Sequence, residues 1–294
     1  MTGDQHHSVR HRAALTGVLA TALALAGCTA STTASSDSAS ESSAAASSSS
    51  SSSAATNDGT LAAANVLAAN ANASVLSDSE WPSSTATEVA LEGTSASSDS
   101  DAVSSADGTV TITATGVYQL SGSLSGGIVV AAGDDALVVL ILDGVNIDNS
   151  AGPAIWVQSA DDVAISLAEG TTSTVSDADA YSDDADANAA IYSESDLTFT
   201  GTGSLQVSDA GNDGITSKKD LAVLSGDITV SAADDGLRGK NSLTIRGGQL
   251  DVTSGGDGLT SDEDADDTQG FIDIEDGDIT VTAGGDGLSA QTDL

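Results

Sequence analysis

The chain has few of the residues on which nucleophilic and zinc-assisted catalysis usually depend. It contains one cysteine, Cys28, so an intramolecular disulfide is excluded. Its histidines are His6, His7 and His11, all close to the N-terminus. Serine–histidine and cysteine–histidine arrangements are therefore absent from the rest of the chain, and a zinc site is not expected there.

Positive charge and aromatic side chains are also scarce. Seven Lys and Arg residues stand against 44 Asp and Glu residues, which gives a formal net charge of −37 at pH 7. A surface of this sign repels phosphate backbones, so we expect no nucleic acid partner. Aromatic residues make up 2% of the chain, and β-branched residues are common, which favours a narrow β structure. Five of the cations lie close together in the sequence: Lys218, Lys219, Arg238, Lys240 and Arg246.

Residues 1–27 have the features of a secretory signal peptide. Arg10 and Arg12 precede an apolar run, Ala13 to Leu25, that is too short to span a membrane as a helix. Small residues stand directly before Cys28, as in bacterial lipoproteins, whose cysteine is lipidated after cleavage. We therefore expect an extracellular protein that is anchored to the cell membrane through lipid on Cys28. A plain signal peptide with an incidental cysteine is the alternative.

Residues 28–100 are predicted to be a disordered tether. Ser, Ala and Thr dominate this stretch, and such a composition cannot bury enough apolar surface to offset chain entropy. The folded part is then a single domain, residues 101–294. Its last repeat stops at Leu294 without a capping segment. We expect either a truncated sequence or a partner chain that covers this end, because solenoids need caps.

A 22-residue repeat marks the predicted domain. Asp213-Gly214, Asp235-Gly236 and Asp257-Gly258 recur at this spacing, and Asp286-Gly287 follows after a longer interval. Apolar residues keep in step with these turns, and pairs of them two residues apart have the period of a β-strand. Several short strands per repeat, joined at Gly and Asp turns, predict an all-β solenoid: a parallel β-helix with about 22 residues per coil.

The stacked turns supply candidate metal ligands. One Asp per coil forms a column of carboxylates about 4.8 Å apart, and like charges that close need water or a cation between them. Calcium takes six to eight oxygen ligands in irregular geometry, so it is the metal that we expect. The candidate ligands are Asp213, Asp234, Asp235, Asp257, Asp262 and Asp264. The alternative is that Asp-Gly only makes the turn, since both residues tolerate positive φ.

A second column is predicted to face outward from the coils. In coil order its residues are Trp156, Tyr192, Thr216, Arg238, Thr260 and Ser289. Aromatic faces stack on the C–H surfaces of sugars, and arginine binds carboxylates bidentately, so this column indicates a carbohydrate-binding strip. The alternative is a plain solvent-facing ladder, or a covering of both aromatic residues by the acidic loop from Thr171 to Asn188.

Two lysines extend this strip. Lys218 and Lys240 each follow the Asp of an Asp-Gly pair by five residues, so they stack on adjacent coils with Arg238 beside them. These cations could receive the carboxylates of a uronate polymer, or they could pair with nearby Asp residues. The candidate carbohydrate-binding residues are Trp156, Tyr192, Lys218, Arg238 and Lys240.

Four segments of the chain resemble a known family: Gly152–Val157, Asn188–Ser193, Asn212–Lys218 and Ala233–Lys240. They are similar to a bacterial cell-surface carbohydrate-binding domain family, typified by a clostridial polygalacturonate-binding protein. The resemblance covers about residues 107–294. It implies a right-handed parallel β-helix similar to that of pectate lyases, bound calcium, and binding of acidic plant or microbial polysaccharide without established lyase activity. It does not identify individual calcium ligands.

Three functions remain open at this point. The first is a calcium-dependent surface lipoprotein that binds uronate-containing polysaccharide without catalysis. The second is a calcium-dependent polysaccharide lyase of the pectate type, in which a lysine or arginine of depressed pKa abstracts the proton next to the uronate carboxylate. The third is a structural spacer with no ligand beyond calcium. Paired carboxylates for glycoside hydrolysis are not singled out among so many Asp residues.

Overall fold

The computed structural model describes residues 68–82, 85–182, 185–208 and 211–294. The predicted signal peptide, Cys28 and the tether up to residue 67 lie outside the described residues. Within these described ranges, no helix is long and apolar enough to cross a membrane. A short 3-10 turn is formed there by Asp78–Glu80.

Short β-strands make up almost all of the regular structure. In the described ranges they are β1 (Thr87–Gly93), β2 (Ala96–Ser97), β3 (Val103–Ala106), β4 (Thr109–Ile112), β5 (Gly116–Ser125), β6 (Gly127–Ala131), β7 (Leu137–Asp148), β8 (Ile155–Ser159), β9 (Asp162–Leu167), β10 (Thr172–Ser176), β11 (Ala189–Ser193), β12 (Asp196–Gly201), β13 (Ser204–Ser208), β14 (Asp213–Ser217), β15 (Asp220–Val223), β16 (Asp227–Ala232), β17 (Leu237–Gly239), β18 (Ser242–Ile245), β19 (Gln249–Ser254), β20 (Leu259–Ser261), β21 (Phe271–Ile274), β22 (Asp278–Ala283) and β23 (Leu288–Ala290).

The strands stack in parallel along three faces of a solenoid. Face 1 contains β4, β6, β8, β11, β14, β17, β20 and β23. Face 2 contains the first half of β7 with β9, β12, β15, β18 and β21, and face 3 contains its second half with β10, β13, β16, β19 and β22. The solenoid has about seven turns of roughly 25 residues, which confirms the predicted parallel β-helix.

The predicted repeat sets the register of the central coils. Ile215 lies opposite Leu237, and Leu237 lies opposite Leu259, each 22 positions further along the chain. The next partner of Leu259 is Leu288, 29 positions on, because the acidic segment 262–270 leaves the coil as an insertion. The inward-facing residues of the coils form one continuous apolar core, so each coil is stabilised mainly by contact with the coils before and after it.

The acidic loop is shorter than the sequence predicted. Thr172–Ser176 is strand β10 of face 3, with Ser173 and Val175 buried. The excursion from the coil therefore begins at Asp177 and ends before Ala189, where β11 starts. Strand β10 alternates buried and partly exposed positions, but its only large apolar residue is Val175, which hid the strand in the sequence.

The folded part begins well before the predicted boundary at residue 101. Strand β1 pairs in parallel with β5, from Thr87 opposite Tyr118 to Gly93 opposite Leu124. Residues 68–82, which we name the strap, lie against the outside of face 2, with Leu76 only 4% exposed. The tether boundary is therefore placed too late, because Ser- and Ala-rich composition masked the alternating apolar residues of β1.

Candidate functional site

The outward column predicted from the repeat forms on face 1. Trp156 lies opposite Tyr192, Tyr192 opposite Thr216, and Thr216 opposite Arg238. The ladder continues through Thr260 to Ser289. Because stacked coils translate each side chain onto its counterpart, the repeat alone is enough to place this set in one line.

The two aromatic residues of this column differ in accessibility. Tyr192 is 4% exposed and packs with Ala187 of the acidic loop, with Ala189 of β11 and with Trp156. Burial, and then the negative charge of Glu194, raise the pKa of Tyr192 to about 12. Trp156 is partly exposed. A ligand can therefore reach Trp156, whereas the loop covers Tyr192, so the alternative in which the loop covers both aromatic residues holds for Tyr192 alone.

The lysines stack as the repeat predicts. The N–H of Lys218 donates to the carbonyl of Ser193 at 2.8 Å, and that of Lys240 donates to the carbonyl of Ser217 at 2.9 Å. These bonds put Glu194, Lys218 and Lys240 at the same position of three successive coils. Glu194 was not selected from the sequence, although its place in the repeat is the signal that identifies it.

Acidic residues of the 262–270 insertion neutralise two of the three cations. The Nζ atom of Lys240 lies 3.0 Å from Oε2 of Glu263, and the guanidinium of Arg238 donates to Oδ2 of Asp262. Lys218 forms no ion pair with any described residue. Asp262, a predicted metal ligand, is thus an ion-pair partner here, and its Oδ1 is buried without a partner among the described residues. Asp264 is exposed.

Neighbouring carboxylates stabilise the protonated, positively charged form of Arg238. Burial lowers the pKa of its guanidinium, but the hydrogen bond and charge of Asp262, with the charges of Asp213 and Asp235, outweigh that effect. The pKa of Arg238 therefore lies above its ordinary value. A general base must release its proton at working pH, so the shift is opposite to the one that a catalytic arginine needs.

The Asp residues of the Asp-Gly turns form a hydrogen-bonded ladder along the solenoid. Oδ1 of Asp213 accepts the N–H of Asp235 at 3.3 Å, and Oδ1 of Asp235 accepts the N–H of Asp257 at 2.8 Å. Oδ1 of Asp257 accepts the N–H of Asp286 at 2.7 Å. Each of these carboxylates therefore holds the backbone of the next coil, which is a structural role that the sequence did not reveal.

Asp213 is the most enclosed member of this ladder. It is 3% exposed, and its Oδ2 accepts the hydroxyl of Thr216 at 3.0 Å. Burial, with a smaller contribution from the charge of Asp235, raises the pKa of Asp213 to about 6. Both of its oxygen atoms are already engaged, so Asp213 presents no accessible oxygen to an external ligand.

The glycines of the turns are required for a reason other than the one predicted. Gly214, Gly236 and Gly258 do not have positive φ. A Cβ on Gly236 would collide with the side chain of Val252 and the carbonyl oxygen of Gly258 on the next coil. Glycine is needed there because successive coils approach closely, so the explanation of Asp-Gly by left-handed backbone is wrong at these positions.

The acidic edge has the donor chemistry that calcium prefers, but its side chains do not form a closed site. Across the ranges that the structure describes, no three acidic, histidine or cysteine side chains converge as metal ligands. Oδ1 of Asp234 and Oδ1 of Asp235 both border the space that a Cβ at Gly256 would fill. Asp234 and Asp235 are neighbouring carboxylates on this edge, and carboxylate oxygens are ligands that calcium takes, so the pair fits a calcium ion that completes its shell with other oxygen donors.

Comparisons with known proteins bear on the family and the fold of the chain. A family model described as carbohydrate-binding domain-containing protein matches residues 106–294. A carbohydrate-binding domain-containing protein of Acetivibrio thermocellus is 40% identical over 137 residues, which are 45% of this chain and 48% of that protein. The chain thus spans about half the length of this relative.

A solved structure is similar over more of the chain. It is the structure of a polysaccharide lyase-like protein from C. thermocellum, determined as a gadolinium derivative. The two chains are 32% identical and superpose with a TM-score of 0.67, and the match covers 70% of this chain and 95% of that chain.

Proposed function

Because the chain belongs to the family of carbohydrate-binding domain-containing proteins, we propose that it binds acidic, uronate-containing polysaccharide with the help of calcium and without catalysis. From the predicted signal peptide and Cys28, we further propose that this activity lies at the cell surface, on a lipid-anchored protein. The partner is then a plant or matrix glycan, and the membrane is reached only through the lipid.

The observation that carries the uronate proposal is the unpaired ammonium of Lys218. The chain has a net charge of −37, yet Lys218 lies partly exposed at the outward column with no ion-pair partner among the described residues. A carboxylate of the polymer would complete this charge, because charge-assisted hydrogen bonds are the stronger ones. Arg238 and Lys240 lie next to it on the adjacent coil. Although both are already paired, their positive charges make the electrostatic potential around Lys218 less negative.

Calcium has a defined place in this proposal. Asp234 and Asp235 would hold the ion beside Gly256, and the ion when bound supplies positive charge that links protein carboxylates to uronate carboxylates. Asp234 is exposed, so its oxygens are accessible from solvent.

Polysaccharide lyase activity is the second candidate, and the polysaccharide lyase-like description of the similar structure is the observation that favours it. Among the described residues, Lys218 has no carboxylate partner, whereas Arg238 and Lys240 are both paired and the pKa of Arg238 is raised. A lyase would use Lys218 as the base. The family to which the chain belongs is described by carbohydrate binding, so we rank binding first.

Retention of the full-length protein on immobilised polygalacturonate tests the proposal. We expect retention with calcium, loss of retention with excess chelator, and no rise in the ultraviolet absorbance of unsaturated uronide. Asp234→Asn and Lys218→Gln should each weaken retention roughly tenfold, equivalent to about 1.4 kcal/mol, because each removes a charged contact to the ligand or ion. The matched control is Asp251→Asn, an exposed carboxylate on face 3 of the same coil.

Three outcomes would count against the proposal. Absence of retention in both conditions would favour the spacer function, and accumulation of unsaturated product would favour the lyase. Equal losses from Asp234→Asn and Asp251→Asn would show that only total charge matters, and would remove the assigned calcium position.

A further inference from the structure

A cavity of about 470 Å³ opens on face 1 beside Trp156, at a distance from Lys218, Arg238 and Lys240, which we name the cation strip. Its walls are the β3–β4 turn at Asp107, the junction of β5 and β6 at Gly127, and the loop from Asp148 to Pro153. Trp156 is three coils away from Arg238, which corresponds to about 14 Å. The volume is in the range of sites for small ligands, roughly 300–1,000 Å³.

The walls of this cavity are fixed by hydrogen bonds. The side-chain Nδ2 of Asn149 donates to the carbonyl of Pro153 at 2.6 Å, and its Oδ1 accepts the N–H of Ala151 at 3.2 Å. The N–H of Gly126 donates to the carbonyl of Asp148 at 2.8 Å. A Cβ at Gly127 would collide with Asn149 and Pro153, so glycine keeps this space open. The cavity is therefore formed before any ligand binds, which lowers the cost of ordering on binding.

Trp156 presents carbon surface to this cavity. The residue is partly exposed, while its indole nitrogen is buried and has no hydrogen-bond partner among the described residues. The accessible part of the side chain is therefore the carbon of the aromatic ring. Such a surface attracts the C–H face of a pyranose, and it offers few favourable contacts to a purely polar solute.

The charge of the cavity selects against acidic sugars. Asp107 and Asp148 line it and are exposed, and no lysine or arginine is among the residues that line it. Carboxylates accept hydrogen bonds from sugar hydroxyl groups, but they repel the carboxylate of a uronate. Uncharged, hydroxyl-rich pyranose units are thus the ligand that matches both the ring and the charge.

We propose that this cavity is a second carbohydrate subsite, which takes an uncharged pyranose unit with its C–H face on Trp156 and its hydroxyl groups donating to Asp107 and Asp148. The proposal rests on the carbohydrate-binding function above and extends its substrate class: the protein binds glycans that combine neutral and acidic sugars, or neutral branches on an acidic chain. The acidic units meet the cation strip, and the neutral ones meet Trp156.

Intrinsic fluorescence gives a direct test, because the chain has two tryptophans and the other, Trp81, belongs to the strap and is buried there. In the full-length Trp81→Phe protein, Trp156 is the sole indole. With chelator present, the protein is titrated with cellohexaose, xylohexaose, mannohexaose and a β-1,4-galactan hexasaccharide, and separately with hexagalacturonate. We expect a saturable change of emission with at least one neutral hexasaccharide and none with hexagalacturonate.

Calorimetry with that neutral sugar on the otherwise unchanged protein locates the site. Trp156→Ala should weaken binding by about tenfold or more, while Trp156→Phe, which retains an aromatic face, should lose less. No response to any of the four neutral sugars, a response to hexagalacturonate in chelator, or equal affinity of Trp156→Ala and the wild type would each overturn the proposal.

The two proposed binding functions can be refuted independently of each other. Retention on polygalacturonate with calcium reports the cation strip, and calorimetry with the neutral sugar in chelator reports the cavity beside Trp156, so each function has its own measurement. Loss of polygalacturonate retention with intact neutral-sugar binding would refute the uronate function alone. The reverse result would refute the neutral subsite alone.

Discussion

At the residue scale, the Asp-Gly turns combine two separate requirements. The carboxylate of Asp235 accepts the N–H of Asp257, which satisfies a backbone donor on the next coil. The neighbouring Gly236 is needed because the next coil lies against its α-carbon. Left-handed backbone occurs elsewhere, at Gly226 and Gly248, between faces 2 and 3. One dipeptide thus fixes both the spacing and the pairing of adjacent coils.

Gly236→Ala should destabilise the fold strongly. The added methyl group would meet Val252 and the carbonyl oxygen of Gly258, and backbone cannot move aside as a flexible side chain can. We expect the free energy of unfolding, measured by urea titration, to fall by about 3 kcal/mol.

Gly287→Ala is the matched control, since it changes the same repeat position in the last coil. A Cβ at Gly287 has no atom within 4 Å among the described residues. Its effect should stay within about 0.5 kcal/mol. Similar losses for both variants would show that the turn needs glycine for its flexibility rather than for close approach of the coils.

At the element scale, the strap shows how an irregular segment becomes part of a solenoid. The N–H of Ser74 donates to Oδ2 of Asp220 at 2.7 Å, and its hydroxyl donates to Oδ1 of Asp162 at 2.8 Å. The N–H of Leu76 donates to the hydroxyl of Thr198 at 3.2 Å. These contacts belong to different coils, so the strap runs across face 2 and joins them.

Leu76→Ala should release the strap from face 2. Leu76 is 4% exposed and packs in a cluster with Val139 and Ala164, so its truncation removes apolar contacts worth about 2 kcal/mol. Limited proteolysis should then cleave within residues 68–82 faster than in the wild-type protein. Ser79→Ala, at an exposed position of the same segment, is the control and should leave the rate unchanged. Equal cleavage rates in the two variants would argue that hydrogen bonds alone hold the strap.

At the scale of the whole molecule, a net charge of −37 acts on both stability and binding. Carboxylates of successive coils follow one another along the ladder, and repulsion between them opposes the compact state. Ordinary salt screens all surface charges alike, whereas a bound ion acts at one site and stabilises the folded state by mass action.

Calcium should therefore raise the melting temperature more than sodium chloride does at the same ionic strength. At a calcium concentration 100 times Kd, the expected stabilisation is about 2.7 kcal/mol, which corresponds to roughly 5 °C or more for a domain of this size. Differential scanning calorimetry of the full-length protein, with and without chelator, measures the effect. A melting temperature that chelator leaves unchanged, or a rise equal to that in sodium chloride, would contradict specific calcium binding.

The sequence by itself determined how the residues of successive coils stack on one another. In a parallel solenoid, each residue lies above its counterpart one repeat earlier, so a spacing of 22 fixes the register of Ile215, Leu237 and Leu259. The outward line through Trp156 and Arg238 follows from the same rule. The family also follows, because its motifs lie within single repeats.

The tertiary structure decided what happens where the repeat is interrupted. The loop before β11 covers Tyr192, the 262–270 insertion brings Asp262 to Arg238, and β1 and the strap join the solenoid from a Ser-rich stretch. None of these contacts recurs with the repeat. Each depends on where a segment that leaves the coil comes back into contact with the solenoid. The sequence could therefore place the candidate residues in order along one face, while only the folded molecule determined which of them are covered, paired or open to a ligand.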